Sequence, residues 1–113
     1  MKIKIVDNDD IKIIQLNGKI TIGEGDVQLR SCINEVLESG CLKIVLDLHG
    51  VSYMDSSGVG ELVSCYTTIT NRGGALRLTR LKSKIYGLLQ LTALVTVFQI
   101  YDSNEDAMQS FQA

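Results

Sequence analysis

Residues 41–48, which read CLKIVLDL, constrain the fold more than any other segment of the chain. They form a nearly continuous apolar run of strand length. A strand that faces solvent on one side alternates apolar and polar residues, whereas a strand covered on both sides is apolar almost throughout. The segment therefore predicts the central strand of a sheet that has other elements packed on both faces.

The flanking segments alternate between strand and helix patterns. Two β-rich segments separated by the turn-forming residues Asn8, Asp9 and Asp10 predict an opening antiparallel hairpin. Later strands are joined through helices, and such crossovers connect parallel neighbours. The predicted strands are 3–7, 11–17, 41–48, 75–79 and 96–101, and the predicted helices are 26–39, about 59–70, about 85–89 and 103–111. The predicted fold class is an α/β sandwich, a mixed sheet with an N-terminal hairpin and about four helices packed on it.

Size and charge narrow the classes of partner. The chain has 113 residues, and its 11 Lys and Arg against 13 Asp and Glu give a net charge of −2. One domain spanning residues 1–113 is predicted, as a monomer or weak homodimer, and nucleic acid is not expected as a partner because no basic patch is present. No apolar run approaches the roughly 18 residues that span a bilayer, so no membrane contact is expected and the cytoplasm is the predicted location.

The three cysteines, Cys32, Cys41 and Cys65, are odd in number and form no CxxC pair, which predicts free thiols and no metal site.

The segment from Val51 to Gly60, VSYMDSSGVG, carries the functional signal. It follows the central strand and begins a helix, where α/β folds place loops beside unpaired helix N–H groups. Asp55, Ser56 and Ser57 can each cap such a helix, and on its own D-S-S-G is an ordinary helix start. Gly58 and Gly60 cost about 1 kcal/mol each in a helix relative to Ala, which indicates close approach of another backbone or a bulky group. A hydroxyl here could also accept a phosphoryl group, because a helix N-terminus tolerates negative charge.

Several segments together resemble the STAS family, the module of bacterial anti-sigma-factor antagonists that also forms the cytoplasmic tail of sulphate transporters. The resemblance covers nearly the whole chain. It comprises Gly18 at the end of the hairpin, KIVLDL with Asp47, YMDSSGVGELV, the Gly73-Gly74 turn before ALRL, and the helix after YDSNEDA. The order D-S-S-G-V-G after a V-L-D-L strand is far more specific than a lone glycine-rich loop.

The resemblance implies a regulatory protein with no catalytic activity and no cofactor. In the family, the serine directly after the aspartate is phosphorylated by an anti-sigma factor that is a serine kinase, and a PP2C-type phosphatase removes the phosphate. That serine is Ser56 here, with Ser57 as the less favoured site. The unphosphorylated form binds the anti-sigma factor and frees a sigma factor. The contact surface implied in this way consists of Asp55, Ser56, Ser57, Gly58, Val59, Gly60, Thr21 and Asp47.

The chain departs from the family after Gly18, where many members have an acidic residue and this chain reads KITIGEG over residues 19–25. That region contributes to partner contact in the family. An alternative function therefore stays open: a constitutive, non-phosphorylated scaffold or subunit of a signalling or lipid-transport complex, with Ser56 acting only as a helix cap. A hydrolase is not expected, because the chain lacks G-x-S-x-G and His49 is expected on a surface loop that also contains Gly50, Ser52 and Asp55.

Overall fold

Five strands form one mixed sheet in which strand order follows chain order, β1-β2-β3-β4-β5. A computed structural model describes residues 1–112. The antiparallel pair β1–β2 opens the sheet, and β3, β4 and β5 follow in parallel, each beside the strand before it. The strands are β1 Lys2–Asn8, β2 Ile11–Ile20, β3 Lys43–Met54, β4 Ala75–Thr79 and β5 Gln99–Tyr101. This arrangement confirms the predicted mixed sheet with its N-terminal hairpin.

Four α-helices cover the two faces of the sheet unequally. They are α1 Gly25–Glu38, α2 Ser56–Asn71, α3 Ser83–Leu91 and α4 Asn104–Gln109. Helices α1, α2 and α3 share one core with the sheet side chains around Ile14, Ile44 and Leu46. On the opposite face, Ala107 of α4 packs with Ile13 and Val45. Strand β3 is thus buried from both sides, as its apolar run predicts.

Strand β3 is longer than the sequence pattern predicts. The loop expected to contain His49, Gly50 and Ser52 is instead strand, which continues to Met54 and stays paired with β2 through β-bulges. A β-carbon on Gly50 would lie 1.8 Å from Oδ1 of Asn17, so the glycine is required by close contact between the two strands. Glycine and serine are turn signals in a sequence, and here they lie within a strand instead.

The carboxyl-terminal half of the chain also differs in one element. Strand β5 begins only at Gln99: of the predicted strand at 96–101, Thr96 ends a 3₁₀-turn that spans Leu94–Thr96, and residues 97–98 lie in a turn and bend before the strand. Ala93 before this turn has a left-handed backbone with φ of 60°.

Within residues 1–112, no helix has the length and apolar character that crossing a membrane requires.

The extension of β3 determines where the functional segment lies. Strand β4 ends at Thr79, opposite Asp47, whereas β3 continues beside β2 until Met54 pairs with Ile20. The last residues of β2 and β3 therefore lie side by side. The turn that follows β2 is held next to the start of α2.

Candidate functional site

The first turn of α2 presents a serine to solvent. Asp55 is the N-cap residue, and its Oδ1 accepts a hydrogen bond from the Gly58 N–H at 2.8 Å. Ser56 is the first helical residue and is exposed, whereas Ser57 is half-buried. Of the three residues that could cap this helix, Asp55 does so, which leaves the Ser56 hydroxyl free of a capping role.

The second oxygen of Asp55 reaches across to the turn between β2 and α1. Oδ2 accepts a hydrogen bond from the backbone N–H of Ile22 at 3.0 Å, and the Asp55 N–H donates to the Ile20 carbonyl at 3.4 Å. The hydrogen bonds from Gly58 and then Ile22 hold the pKa of the Asp55 carboxyl below its usual range. The ionised carboxylate therefore fastens two segments that are distant in sequence.

Residues 21–24 form a turn that we call the Ile22 turn. The Thr21 carbonyl accepts hydrogen bonds from the N–H groups of Glu24 and Asp26, and Gly23 has a φ of +80° that favours glycine. The Ile22 side chain is 72% exposed although its backbone is fixed. The resemblance to the family implies Thr21 as part of the contact surface and does not include Ile22. The sequence does carry a signal for Ile22: it is a large apolar residue next to a glycine, and it fits neither the strand pattern before it nor the helix pattern after it.

The two glycines of the first turns of α2 have different roles. A β-carbon on Gly58 would lie 2.1 Å from the Ile20 carbonyl oxygen and 2.6 Å from Cγ of Met54, so the helix start packs directly on the end of β2. A β-carbon on Gly60 would meet no described atom within 4 Å. Gly58 therefore serves internal packing, as the predicted close approach requires. Gly60 is exposed and leaves space outside the molecule.

Three residues expected in the contact surface lie in the interior, namely Asp47, Gly58 and Val59. Val59 is buried in the core under α1, α2 and α3. Asp47 is also buried, and Met54 lies seven residues further along β3, about 20 Å away at the usual rise of a strand. The expectation that Asp47 lies beside Ser56 is therefore wrong. Of these two aspartates, only Asp55 places a negative charge next to Ser56.

Asp47 instead joins three elements of the fold. Its carboxylate accepts hydrogen bonds from the His49 N–H at 3.0 Å, Arg80 Nη1 at 3.1 Å and Asn104 Nδ2 at 3.0 Å. The Asn104 side-chain oxygen in turn accepts a hydrogen bond from the Thr79 hydroxyl at 2.5 Å. This network connects the middle of β3 with the end of β4 and the start of α4, so it supports the fold from the side away from Ser56.

An ion pair between the exposed Arg30 of α1 and the buried Glu61 of α2 joins the two helices. Oε1 of Glu61, which is 5% exposed, accepts hydrogen bonds from Arg30 Nη2 at 2.6 Å and Nε at 3.0 Å. The Cys65 thiol donates to the other Glu61 oxygen at 3.6 Å, and burial raises the pKa of this thiol. The spacing of Asp26, Arg30, Glu35 and Glu38 along α1 is typical of a solvated helix face. Asp26 is buried instead, whereas Arg30, Glu35 and Glu38 are exposed, and Arg30 stays exposed while it pairs with Glu61.

Within residues 1–112, no histidine is hydrogen-bonded to Ser56. His49 lies on β3 beside the Asp47 network, seven residues before Ser56, and donates its N–H inward. Among the described residues, no three His, Cys, Asp or Glu side chains are grouped so that they could hold a metal ion. What the site offers is a shaped surface: an exposed hydroxyl, an adjacent carboxylate and a protruding apolar side chain.

The sheet order, the extended β3 and the serine at the start of α2 define a small α/β module of the STAS type. Residues 2–107 match the STAS domain family, and the chain belongs to that family. An anti-sigma-B factor antagonist from Listeria monocytogenes is 34% identical over 104 residues, covering 88% of this chain and 86% of that protein. The chain is thus a homologue of anti-sigma factor antagonists, which are regulatory proteins and not enzymes.

Solved structures agree with the fold along nearly the whole chain. The crystal structure of a Thermotoga maritima protein superposes with a TM-score of 0.90 at 28% identity and covers 98% of this chain and 95% of that chain. The Bacillus protein SpoIIAA in its phosphorylated form superposes with a TM-score of 0.73 and covers 98% of this chain and 100% of that chain. At 19% identity, the likeness to SpoIIAA shows the fold alone.

Proposed function

We propose that this protein is an anti-sigma factor antagonist, acting in the cytoplasm, whose binding to its anti-sigma factor is switched by reversible phosphorylation of Ser56. The observation that carries the proposal is the exposed Ser56 hydroxyl at the start of α2, next to the Asp55 carboxylate that fixes the surrounding surface. The names of the relatives support the class of partner, and SpoIIAA provides a relative that exists in a phosphorylated form.

The proposed switch has a simple electrostatic basis. An anti-sigma factor that is a serine kinase transfers the γ-phosphoryl group of ATP to Oγ of Ser56, with loss of the hydroxyl proton and release of ADP. The phosphate adds about −1.5 to −2 charge at neutral pH. Helix N–H groups tolerate that charge in the free protein, but it lies beside the ionised Asp55 in the middle of the contact surface. A partner surface that fits a neutral hydroxyl is repelled, or must desolvate the added charge.

Removal of the phosphate by a PP2C-type phosphatase restores binding. The unphosphorylated protein then sequesters the anti-sigma factor and frees a sigma factor. Ser56 is favoured over Ser57 because Ser56 is exposed and Ser57 is half-buried at the same helix start. A kinase must reach the hydroxyl that it modifies.

Peptide mass spectrometry of the protein isolated from its native cells tests the modification. We expect phosphate on Ser56 within the peptide that contains residues 55–60. Ser56→Ala should retain partner binding and lose phosphorylation, Ser56→Glu should weaken binding, and Ser57→Ala is the matched control that should retain both. Phosphate on Ser57 would move the site within the same switch.

The alternative function is a constitutive scaffold in which Ser56 only caps α2. The cap is supplied by Asp55, which removes the role that this alternative gives to Ser56. Absence of phosphate under all growth conditions with phosphatases inhibited, together with equal partner affinity of wild type, Ser56→Ala and Ser56→Glu, would favour the scaffold and contradict the switch.

A further inference from the structure

An exposed isoleucine lies on the turn that Asp55 fastens to the Ser56 helix. Ile22 is 72% exposed, and large apolar side chains held this far into water carry an unfavourable hydration that a partner can relieve. Its backbone N–H is bound by Asp55 Oδ2, and the same carboxylate binds Gly58 in the first turn of α2. The Ile22 backbone is therefore held at a fixed position relative to the first turn of α2, which carries Ser56.

Ile22 is more exposed than the other large apolar side chains close to this site in the sequence. Val27 on α1 is 46% exposed, and Tyr53 before Asp55 is 42% exposed, with the Lys84 ammonium 5.4 Å from the centre of its ring. Asp55 uses both of its oxygens in backbone hydrogen bonds, which fix the position of its carboxylate. Ile22 is therefore the apolar side chain that this surface presents most fully to a partner.

We propose that Ile22 is the apolar anchor of the surface that binds the anti-sigma factor, and that this partner offers an apolar pocket for the Ile22 side chain beside a neutral rim that faces Ser56. This inference rests on the proposed function and adds a residue to it. Anchors that are fixed before binding lose little conformational entropy on association, so a single buried side chain can dominate an interface. The Ser56 hydroxyl then lies within the contact surface, beside the buried Ile22 side chain, where a phosphate would be desolvated.

The anchor is tested by isothermal titration calorimetry with the purified anti-sigma factor kinase that phosphorylates Ser56. Ile22→Ala should raise the Kd by about tenfold or more, in the range of interface anchors. Leu42→Ala is the matched control, because Leu42 is also exposed, at 41%, but precedes the opposite end of β3. It should leave the Kd unchanged. Ile22→Ala should change the thermal unfolding midpoint by no more than a few degrees, since Ile22 is largely in solvent, and both variants are titrated at a temperature at which they are fully folded.

The outcomes separate this inference from the proposed function. Loss of binding by both Ile22→Ala and Ser56→Glu, with Leu42→Ala unaffected, supports both proposals. Wild-type affinity of Ile22→Ala together with weak binding of Ser56→Glu overturns the anchor and leaves the switch in place. If the wild-type protein binds no anti-sigma factor, both are overturned. As a direct readout, the ¹³C-methyl NMR signal of Ile22 should shift when the kinase is added to wild type, and an unchanged signal would contradict burial of this side chain.

Discussion

The carboxylate of Asp55 accepts a hydrogen bond at 3.0 Å from the backbone N–H of Ile22, across 33 residues of sequence. Its other oxygen accepts the N–H of Gly58, so one side chain caps α2 and also holds the Ile22 turn. A residue that looks like an ordinary helix cap in the sequence therefore sets the geometry between the two parts of the contact surface.

Asp55→Asn separates these two tasks. Asn is as good an N-cap as Asp, so α2 should stay capped through the side-chain oxygen. The amide nitrogen is a donor and cannot accept from Ile22, so the turn loses its attachment. We predict faster hydrogen exchange at the Ile22 amide and several-fold weaker binding to the anti-sigma factor, while the helix content measured by circular dichroism stays unchanged. Retention of wild-type exchange and affinity would show that the Ile22 contact has no role in shaping the surface.

Acidification should weaken the wild type more than Asp55→Asn. The pKa of Asp55 is lowered in the folded protein, first by the hydrogen bond from Gly58 and then by that from Ile22. Its ionised form therefore contributes stability that is present above the unfolded pKa, near 3.9, and is lost as the pH falls through the folded value. Urea unfolding of both proteins between pH 7 and pH 2 should show an advantage of the wild type that begins to decline near pH 4 and is lost once the pH lies below the folded pKa of Asp55. The pKa of Asp10, lowered by its bond to Lys43, adds the same trend to both proteins. A difference that is constant with pH would contradict the assignment.

Gly58→Ala and Gly60→Ala should shift stability in opposite directions. The first places a methyl group against the Ile20 carbonyl and should destabilise the fold by about 1–3 kcal/mol, as overpacking of a tight contact does. The second adds a methyl group in open space on a helix and should stabilise by about 0.5–1 kcal/mol. Urea denaturation measures both. A destabilised Gly60→Ala would disprove the open-space interpretation, and a stable Gly60→Ala with weakened partner binding would place the partner against this face.

Asp47→Ala should affect stability and leave partner binding alone. The substitution removes the acceptor shared by Arg80 and Asn104 and should destabilise by about 3 kcal/mol, the lower end for a broken buried pair, because Arg80 keeps access to solvent. Asp102→Ala, at an exposed position nearby, is the control and should change little. Affinity is measured by calorimetry on the folded protein. A large loss of affinity with unchanged stability would return Asp47 to the contact surface.

The order of elements could be predicted because burial leaves a clear pattern. The apolar run of β3 and the helical spacing of the following segments record which side of each element faces the core, and these signals are local. The position of Ser56 at a helix start could be predicted for the same reason. Gly50 was misinterpreted because its requirement arises from Asn17 on another strand, and a single sequence does not show which residues face each other.

The polar contacts could not be predicted, because each joins segments that are distant in the chain. Glu61 is buried because Arg30 on α1 reaches it, and Asp47 is buried because Arg80 and Asn104 surround it. Taken alone, each carboxylate is most simply read as a surface charge. The Ile22 contact could not be predicted for the same reason, because the Asp55 carboxylate that binds its backbone N–H lies 33 residues further along the chain.

The sequential order of the sheet also affects how the chain can acquire its structure during synthesis. Each strand from β2 to β5 pairs with the strand made just before it, so no strand has to be inserted between two that are already joined. Synthesis releases the N-terminal strands first, so each newly released strand has its pairing partner already outside the ribosome. All residues from the Ile22 turn to Gly60 emerge before β4, and the later strands then close the far side of β3. The growing chain can thus be extended one strand at a time without undoing an earlier pairing.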